Sequence, residues 1–138
     1  MNYWLVKSEP STWSWDDQVK AGKTDWNGVR NPQATANMKA MRKGDRAFFY
    51  HSNEGKEIVG VVEIVREFYL DPKDATGKFG MVDVKALEKL PKPVTLAAAK
   101  ADPKLGEMVL VRNSRLSVQP VTPDEWRYIA ALGGLKSA

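Results

Sequence analysis

Four short stretches of the sequence carry the side chains that could do chemistry, and each follows residues typical of a strand end or a turn. They supply aromatic rings, hydroxyl and amide groups, an imidazole and several cations: Lys7, Ser8, Trp26, Arg30, Asn31, Tyr50, His51, Ser52, Arg115, Ser117 and Gln119. An aromatic face beside hydrogen-bonding groups suits a single-stranded or flipped-out nucleobase, because the ring stacks while polar groups bond its edge. If the stretches converge where strands end, they predict a base-binding pocket.

Catalysis by the same residues is the first alternative. Ser8, Ser52 and Ser117 are conceivable nucleophiles, but none lies in a GxSxG-type context. His51 is the single histidine of the chain, and no neighbour in sequence resembles a group that would activate it. We therefore predict no catalytic residue, while an enzyme that processes a nucleotide or another small molecule through His51 and a serine stays an alternative.

Trp26 and Asn31 also have purely structural interpretations. A tryptophan in this position could cover a helix end or belong to the core, and Asn31 precedes Pro32 as a helix cap would. Stacking of a base on an aromatic ring contributes about 1–3 kcal/mol. If Trp26 is a stacking platform, its replacement by alanine should weaken binding by that amount and leave the fold intact.

The chain carries an excess of positive charge, with a formal net charge of +4 at pH 7. Part of this excess runs through one predicted helix and beyond it, at Arg30, Lys39, Arg42, Lys43 and Arg46. Such a series predicts a phosphate track beside the pocket, because cations near phosphates gain affinity by releasing condensed counterions. A solvated helix face and an interaction module that docks an acidic protein are the alternatives.

Length and composition limit the remaining classes. A chain of 138 residues with 43% apolar side chains has the size of one ordinary domain with its own core. It contains no apolar run of about 18 residues and no signal-peptide order at its start, so we expect a soluble, cytoplasmic monomer, or a nuclear one in a eukaryote. Because it has no cysteine and one histidine, we expect neither a metal site nor a cofactor.

The hydrophobic pattern and the turn residues divide the chain into about six strands and four short helices. Strands are predicted at 3–7, 46–52, 58–68, 81–90, 109–112 and 116–120, with a polar turn at 113–115, and helices at 14–21, 32–42, 95–102 and 122–132. Pro91 and Pro93 are expected to break the chain, and Gly60 inside a strand predicts a bulge or a close backbone approach. The uneven spacing favours an α+β domain on a curved, partly closed barrel over a doubly wound sheet.

Several long segments together resemble the EVE domain family: YWLVKSEP at 3–10, WNGVRNPQA at 26–34, MKAMRKGDRAFFYHSN at 38–53, IVGVVEIV at 58–65, MVDVKAL at 81–87 and RLSVQPVTPDEW at 115–126. The resemblance implies one domain over residues 1–138 with a PUA-like β pseudo-barrel of about six strands and short surrounding helices. It also implies a non-catalytic reader of DNA or RNA that recognises modified bases such as 5-hydroxymethylcytosine. Carried over position by position, it implies a pocket built by the eleven residues named in the first paragraph.

Overall fold

Six strands and five short α-helices follow one another in the computed structural model, which describes residues 1–113 and 115–136. The strands are β1 (Tyr3–Ser8), β2 (Lys23–Trp26), β3 (Arg46–His51), β4 (Glu57–Leu70), β5 (Gly80–Thr95) and β6 (Val118–Val121). The helices are α1 (Trp15–Ala21), α2 (Pro32–Ala40), α3 (Leu96–Ala101), α4 (Val109–Arg112) and α5 (Pro123–Gly133), with a 3-10 turn at Pro103–Leu105. None of the described helices is long and apolar enough to cross a lipid bilayer.

All six strands belong to one mixed sheet in the order β2-β5-β4-β3-β1-β6. β1 is parallel to β3 and antiparallel to β6, and the other neighbours are antiparallel. Register shifts interrupt the β3–β4 and β4–β5 ladders, and such bulges bend strands and increase their twist. The predicted α+β class and the PUA-like fold are confirmed, although the sheet stays open, with β2 and β6 at its edges.

Two apolar clusters lie on the two faces of this sheet. Side chains alternate along a strand, so the neighbours Phe48 and Phe49 in β3 belong to different clusters. Phe48 stacks on Trp126 of α5, with ring centroids 3.9 Å apart, and the cluster around Phe49 contains Trp15 and Trp26. The cluster of Phe48 and Trp126, called the Trp126 cluster below, packs α3, α4 and α5 against the sheet. The Phe49 cluster lies behind the cleft described below.

Gly60 in β4 is a point of close packing, as its place inside a strand predicts. The register of the β4–β5 ladder shifts between Ile58 and Gly60. A Cβ atom built on Gly60 would lie 2.5 Å from the Trp15 ring, which is closer than any carbon contact allows. The predicted bulge and close approach are both confirmed, and they seat the indole of α1 directly on the sheet.

Three local expectations from the sequence are wrong. The segment predicted as a strand at 109–112 is the helix α4, because the backbone amides of Val111 and Arg112 donate to the Met108 carbonyl and Met108 is buried in the Trp126 cluster. Residues 23–26 form the unpredicted strand β2, which pairs with β5. The prolines at 91 and 93 do not end β5, which continues to Thr95. The turn predicted at 113–115 includes Ser114, which lies outside the described residues.

Candidate functional site

A cleft of about 940 Å³ opens where β1 ends, beside the edge strand β2. Its volume is at the upper end of the range for small-ligand sites. Five segments of the chain contribute to its walls, and their lining residues are Lys7, Ser8, Glu9, Thr12, Trp13, residues 23–30, Tyr69, Asp83 and Ser117. The site therefore depends on the sheet order, because it combines residues that lie up to about a hundred positions apart.

The end of β1 brings two of the predicted residues and a loop together. The Ser8 hydroxyl donates to the Trp13 carbonyl at 2.5 Å, which folds the segment between them into the cleft wall. The backbone amide of Lys7 donates to the Ser117 carbonyl at 3.0 Å, so Ser117 is carried to the same place. Burial lowers the pKa of the Lys7 ammonium, whose nitrogen lies 5.4 Å from the centroid of the Tyr50 ring.

Trp26, the last residue of β2, belongs to the core and to the cleft at the same time. Only 8% of its surface is exposed, and its ring meets Phe49 edge to face with centroids 5.5 Å apart. It also lines the cleft. Its indole is thus a fixed part of the wall, with a small free area.

Trp13 offers the cleft a second and more accessible indole. This residue is half-buried, and its indole N–H donates to the Gln18 side-chain oxygen at 2.9 Å. The same oxygen accepts from the Thr24 hydroxyl at 3.0 Å, while the Gln18 amide donates to the Gly22 carbonyl. Gln18 is fully buried, so one glutamine ties the Trp13 loop, the end of α1 and β2 into one wall.

Arg30 closes the cleft on the side of α2. Its guanidinium lies over the Phe79 ring at 4.4 Å and donates to the Val29 carbonyl at 3.3 Å. Gly28 at φ 82° makes the turn that carries the chain from β2 to this arginine, in a conformation that glycine adopts without strain. The next residue, Asn31, caps α2, because its side-chain oxygen accepts from the Ala34 amide at 3.0 Å.

The lining of the cleft also includes acids. The Tyr69 hydroxyl donates to Asp83 Oδ1 at 2.6 Å, and Asp83 is only 7% exposed. Burial, followed by this hydrogen bond and the carboxylate charge, raises the pKa of Tyr69 to about 12. Asp25 stands opposite Asp83 in the β2–β5 ladder. The lining therefore contains acids as well as cations, so the cleft presents both hydrogen-bond acceptors and donors.

Of the eleven residues predicted for a pocket, five line the cleft: Lys7, Ser8, Trp26, Arg30 and Ser117. The other six do not line it. Tyr50 is buried in the Trp126 cluster. Gln119 is fully buried, and its amide donates to the Asn113 and Leu116 carbonyls. Both residues therefore support the strands that form the cleft.

The remaining four predicted residues do not line the cleft, and their contacts are structural. His51 Nε2 accepts from the Trp15 backbone amide at 3.0 Å, which fixes the start of α1. The Ser52 amide donates to the Ser8 carbonyl at 2.9 Å. Asn31 lies outside the cleft as the helix cap, and Arg115 is exposed in the turn before β6.

Some lining residues were missed by sequence reasoning. Lys23, Thr24 and Asp25 belong to the unpredicted strand β2, and Tyr69 and Asp83 come from two further strands. One local signal could have found Asp83, since an acid between the buried residues Val82 and Val84 interrupts an apolar strand. No local signal points to Tyr69, because its role depends on the pairing of β4 with β5.

His51 and Ser8 do not have the contacts of the nucleophile–base pair of a hydrolase. The His51 nitrogen that could act as a base accepts from Trp15, and the Ser8 hydroxyl donates to a backbone carbonyl, so the two do not form a nucleophile–base pair. Within residues 1–113 and 115–136, no group of three or more histidine, aspartate or glutamate side chains is placed to hold a metal ion. The arrangement is suited to holding a ligand.

Comparison with known proteins agrees with the segment resemblance. The EVE domain model matches residues 2–132. Thymocyte nuclear protein 1 of Rattus norvegicus is 35% identical over 95% of this chain and 73% of its own length. A protein of Rhodopseudomonas palustris solved by NMR is 61% identical and superposes with a TM-score of 0.94 over 100% of this chain and 97% of its own.

The human THYN1 protein, solved in complex with 5-methylcytosine containing DNA, is 33% identical with a TM-score of 0.87, over 96% of this chain and 98% of its own. The family that the six segments suggest is thus confirmed by a match over nearly the full length of the chain. The chain belongs to the EVE domain family.

Proposed function

We propose that this chain is a non-catalytic nucleic-acid reader that takes one nucleobase, preferably a modified one, into the cleft beside β2. The observation that carries the proposal is the composition of the cleft wall, in which two indoles, Trp13 and Trp26, stand with hydroxyls, cations and a buried carboxylate. A base needs an apolar face and a polar edge recognised together. The human relative bound to 5-methylcytosine containing DNA supports the modified base as the ligand.

The lining residues divide into stacking, edge-bonding and backbone-binding groups. Trp13 provides the more accessible ring, and Trp26 provides a fixed wall. The hydroxyl of Ser117 and the carboxylate of Asp83 would bond the base edge, since a carboxylate accepts from exocyclic amino groups. Lys7 and Arg30 are the cations for phosphate or sugar.

The mixed charge of the cleft favours a base over a bare phosphate. Acids line it together with cations, and Asp83 forms no ion pair within the described part of the chain. A buried carboxylate repels a phosphate and accepts from an amino group. The overall positive charge of +4 attracts the strand from a distance, and the cleft then selects the base.

The experiment is a binding screen at fixed salt with short DNA and RNA oligonucleotides that differ in one base. Fluorescence anisotropy should find a preference of about tenfold or more for one modified base over its parent, which corresponds to about 1.4 kcal/mol. Ser117→Ala and Trp13→Ala should reduce that affinity. The matched control is Ser52→Ala, because Ser52 does not line the cleft.

Two results would count against the proposal. Equal affinity for every base, together with a steep dependence on salt, would indicate an interaction module or nonspecific phosphate binding. Turnover of a nucleotide that His51→Ala abolishes would indicate an enzyme.

A further inference from the structure

A second, shallower groove of about 260 Å³ lies between α2 and the segment 78–79 that leads into β5. Its lining residues are Arg30, Pro32, Thr35, Ala36, Lys39, Lys78 and Phe79. Arg30 also lines the cleft, so the two depressions share one side chain. A ligand that fills both would pass along this arginine.

The groove differs from the cleft in its charge. Among its described lining residues, Arg30, Lys39 and Lys78 are cations and none is acidic. Neither the ion pair of Arg112 with Glu107 nor that of Arg127 with Asp124 involves them. The first turn of α2 also contains no acid, so its partial positive charge adds to theirs. The groove is therefore suited to an anion, whereas the cleft presents charges of both signs.

Aromatic rings and one loop acid hold these cations in place. Arg30 lies 4.4 Å over Phe79 and the Lys39 nitrogen lies 5.4 Å from the Phe68 centroid. The amides of Lys78 and Phe79 donate to Asp74 Oδ2 at 3.0 and 2.7 Å. These bonds help to lower the pKa of Asp74 to about 2, after the larger contribution of the Thr76 hydroxyl. The charges of Arg30 and Lys39 are thus positioned over rings, which leave them intact, while Asp74 fixes the backbone that carries Lys78.

Thr35 gives an independent indication of a missing partner. It lies in the groove wall with 9% of its surface exposed. Its hydroxyl oxygen is buried and has no hydrogen-bond partner, which is uncommon for a buried polar atom. Threonine has two favoured χ1 rotamers in a helix, and a change of rotamer would exchange its hydroxyl and methyl positions. An anion in the groove would then supply the acceptor that the hydroxyl lacks.

We propose that this groove binds a backbone phosphate of the strand whose base occupies the cleft, an inference that rests on the function proposed above. Lys39, Lys78 and Arg30 would contact the phosphate oxygens, and Thr35 would donate one hydrogen bond. Because Arg30 belongs to both depressions, it fixes the spacing between the bound base and the phosphate. The groove therefore sets the position of the strand, and the cleft reads the base.

The first test measures the dissociation constant of the preferred oligonucleotide at several salt concentrations. Lys39→Ala and Lys78→Ala should each reduce the slope of log K against log salt by about 0.7 for a single strand, while the ratio between modified and parent base stays the same. Lys100→Ala is the control, since it removes the same charge from an exposed position on α3. Equal slopes for the three variants would overturn the inference.

A second test walks a single neutral methylphosphonate along the oligonucleotide. One position should weaken binding to the wild-type chain and weaken it less in Lys78→Ala, because one of the contacts to that phosphate is already lost. Thr35→Val keeps the shape of the side chain and removes the hydroxyl. It should weaken binding of the unmodified strand and reduce the effect of the methylphosphonate at that same position. If no single position matters, or if its effect is unchanged in Lys78→Ala, the groove does not bind a backbone phosphate.

The failure of the two proposals can be told apart. If the wild-type chain binds no oligonucleotide, the reader function fails, and inorganic phosphate followed by NMR then tests the groove alone. If phosphate shifts amide resonances of α2 and these shifts are absent in Lys39→Ala, the groove binds free phosphate. That result would overturn the proposal that it binds a phosphate of the nucleic-acid backbone. If the chain binds modified oligonucleotides while the groove variants behave like Lys100→Ala, the reader function stands and the groove inference fails.

Discussion

Trp26 connects the core to the cleft, and its truncation therefore has two consequences that can be measured separately. The side chain is 92% buried and meets Phe49 edge to face. Replacing a buried tryptophan by alanine costs about 3–5 kcal/mol, of which the ring contact accounts for about 0.5–1.5 kcal/mol. A domain of this size has a stability of roughly 5–15 kcal/mol. The variant Trp26→Ala should therefore still fold, but with much reduced stability.

The binding consequence has to be measured where the variant is still folded. Circular dichroism can establish a temperature at which Trp26→Ala keeps its native signal, and the affinity is then compared with that of the wild type. Loss of a ring wall should weaken base binding by about 1–3 kcal/mol, which is about 5- to 150-fold in the dissociation constant. Trp26→Phe keeps an aromatic ring and should lose less unfolding free energy and less affinity than Trp26→Ala.

Trp13→Ala provides the matched comparison, because Trp13 lines the same cleft and is only half-buried. It should lower affinity by a similar factor with a smaller loss of unfolding free energy in urea. An unchanged unfolding free energy in Trp26→Ala would refute its place in the core. A folded Trp26→Ala with wild-type affinity would remove the residue from the binding site.

Two further predictions concern the packing around α1. Gly60→Ala should lower the unfolding free energy by about 1–3 kcal/mol, because its Cβ would lie 2.5 Å from the Trp15 ring. Urea unfolding measures this change. Gly106→Ala is the control, since its Cβ would meet only an oxygen at 3.5 Å, and its unfolding free energy should stay within about 0.5 kcal/mol of the wild type. The pKa of His51 is lowered chiefly by burial, so the unfolded chain binds the proton first and stability should fall as the pH drops below about 6.5. Melting temperatures between pH 5 and 8 test this, and the same slope in His51→Gln would contradict it.

The parts of the fold that sequence predicts well are those fixed by neighbouring residues. Asn31 accepts from the amide three positions on, and Thr122 and Glu125 form a reciprocal capping box at the start of α5. Both motifs close within one helical turn, so the residue types alone define them. The predicted starts of these two helices agree with the structure for that reason.

Distant pairing explains what sequence could not predict. Lys23–Trp26 is a strand because it adds to the edge of β5, whose partner residues lie about sixty positions later. Val109–Arg112 has the composition of a strand, yet it is helical because Leu110 and the preceding methionine are buried in the Trp126 cluster. Local propensity is outweighed by packing in both cases. The same limit hid Tyr69, whose position beside Asp83 follows from the pairing of β4 with β5.

The cleft walls are built before any ligand arrives, and this affects how binding should proceed. Gln18 is fully buried and bonds Trp13, Thr24 and Gly22 at the same time, so the more accessible indole cannot swing freely. Trp26 is held by the core behind it. Side chains that are already ordered cost little entropy when a ligand binds. The discrimination between bases should therefore come from the fixed positions of donors and acceptors, and only Thr35 and the surface lysines need to adjust to the strand.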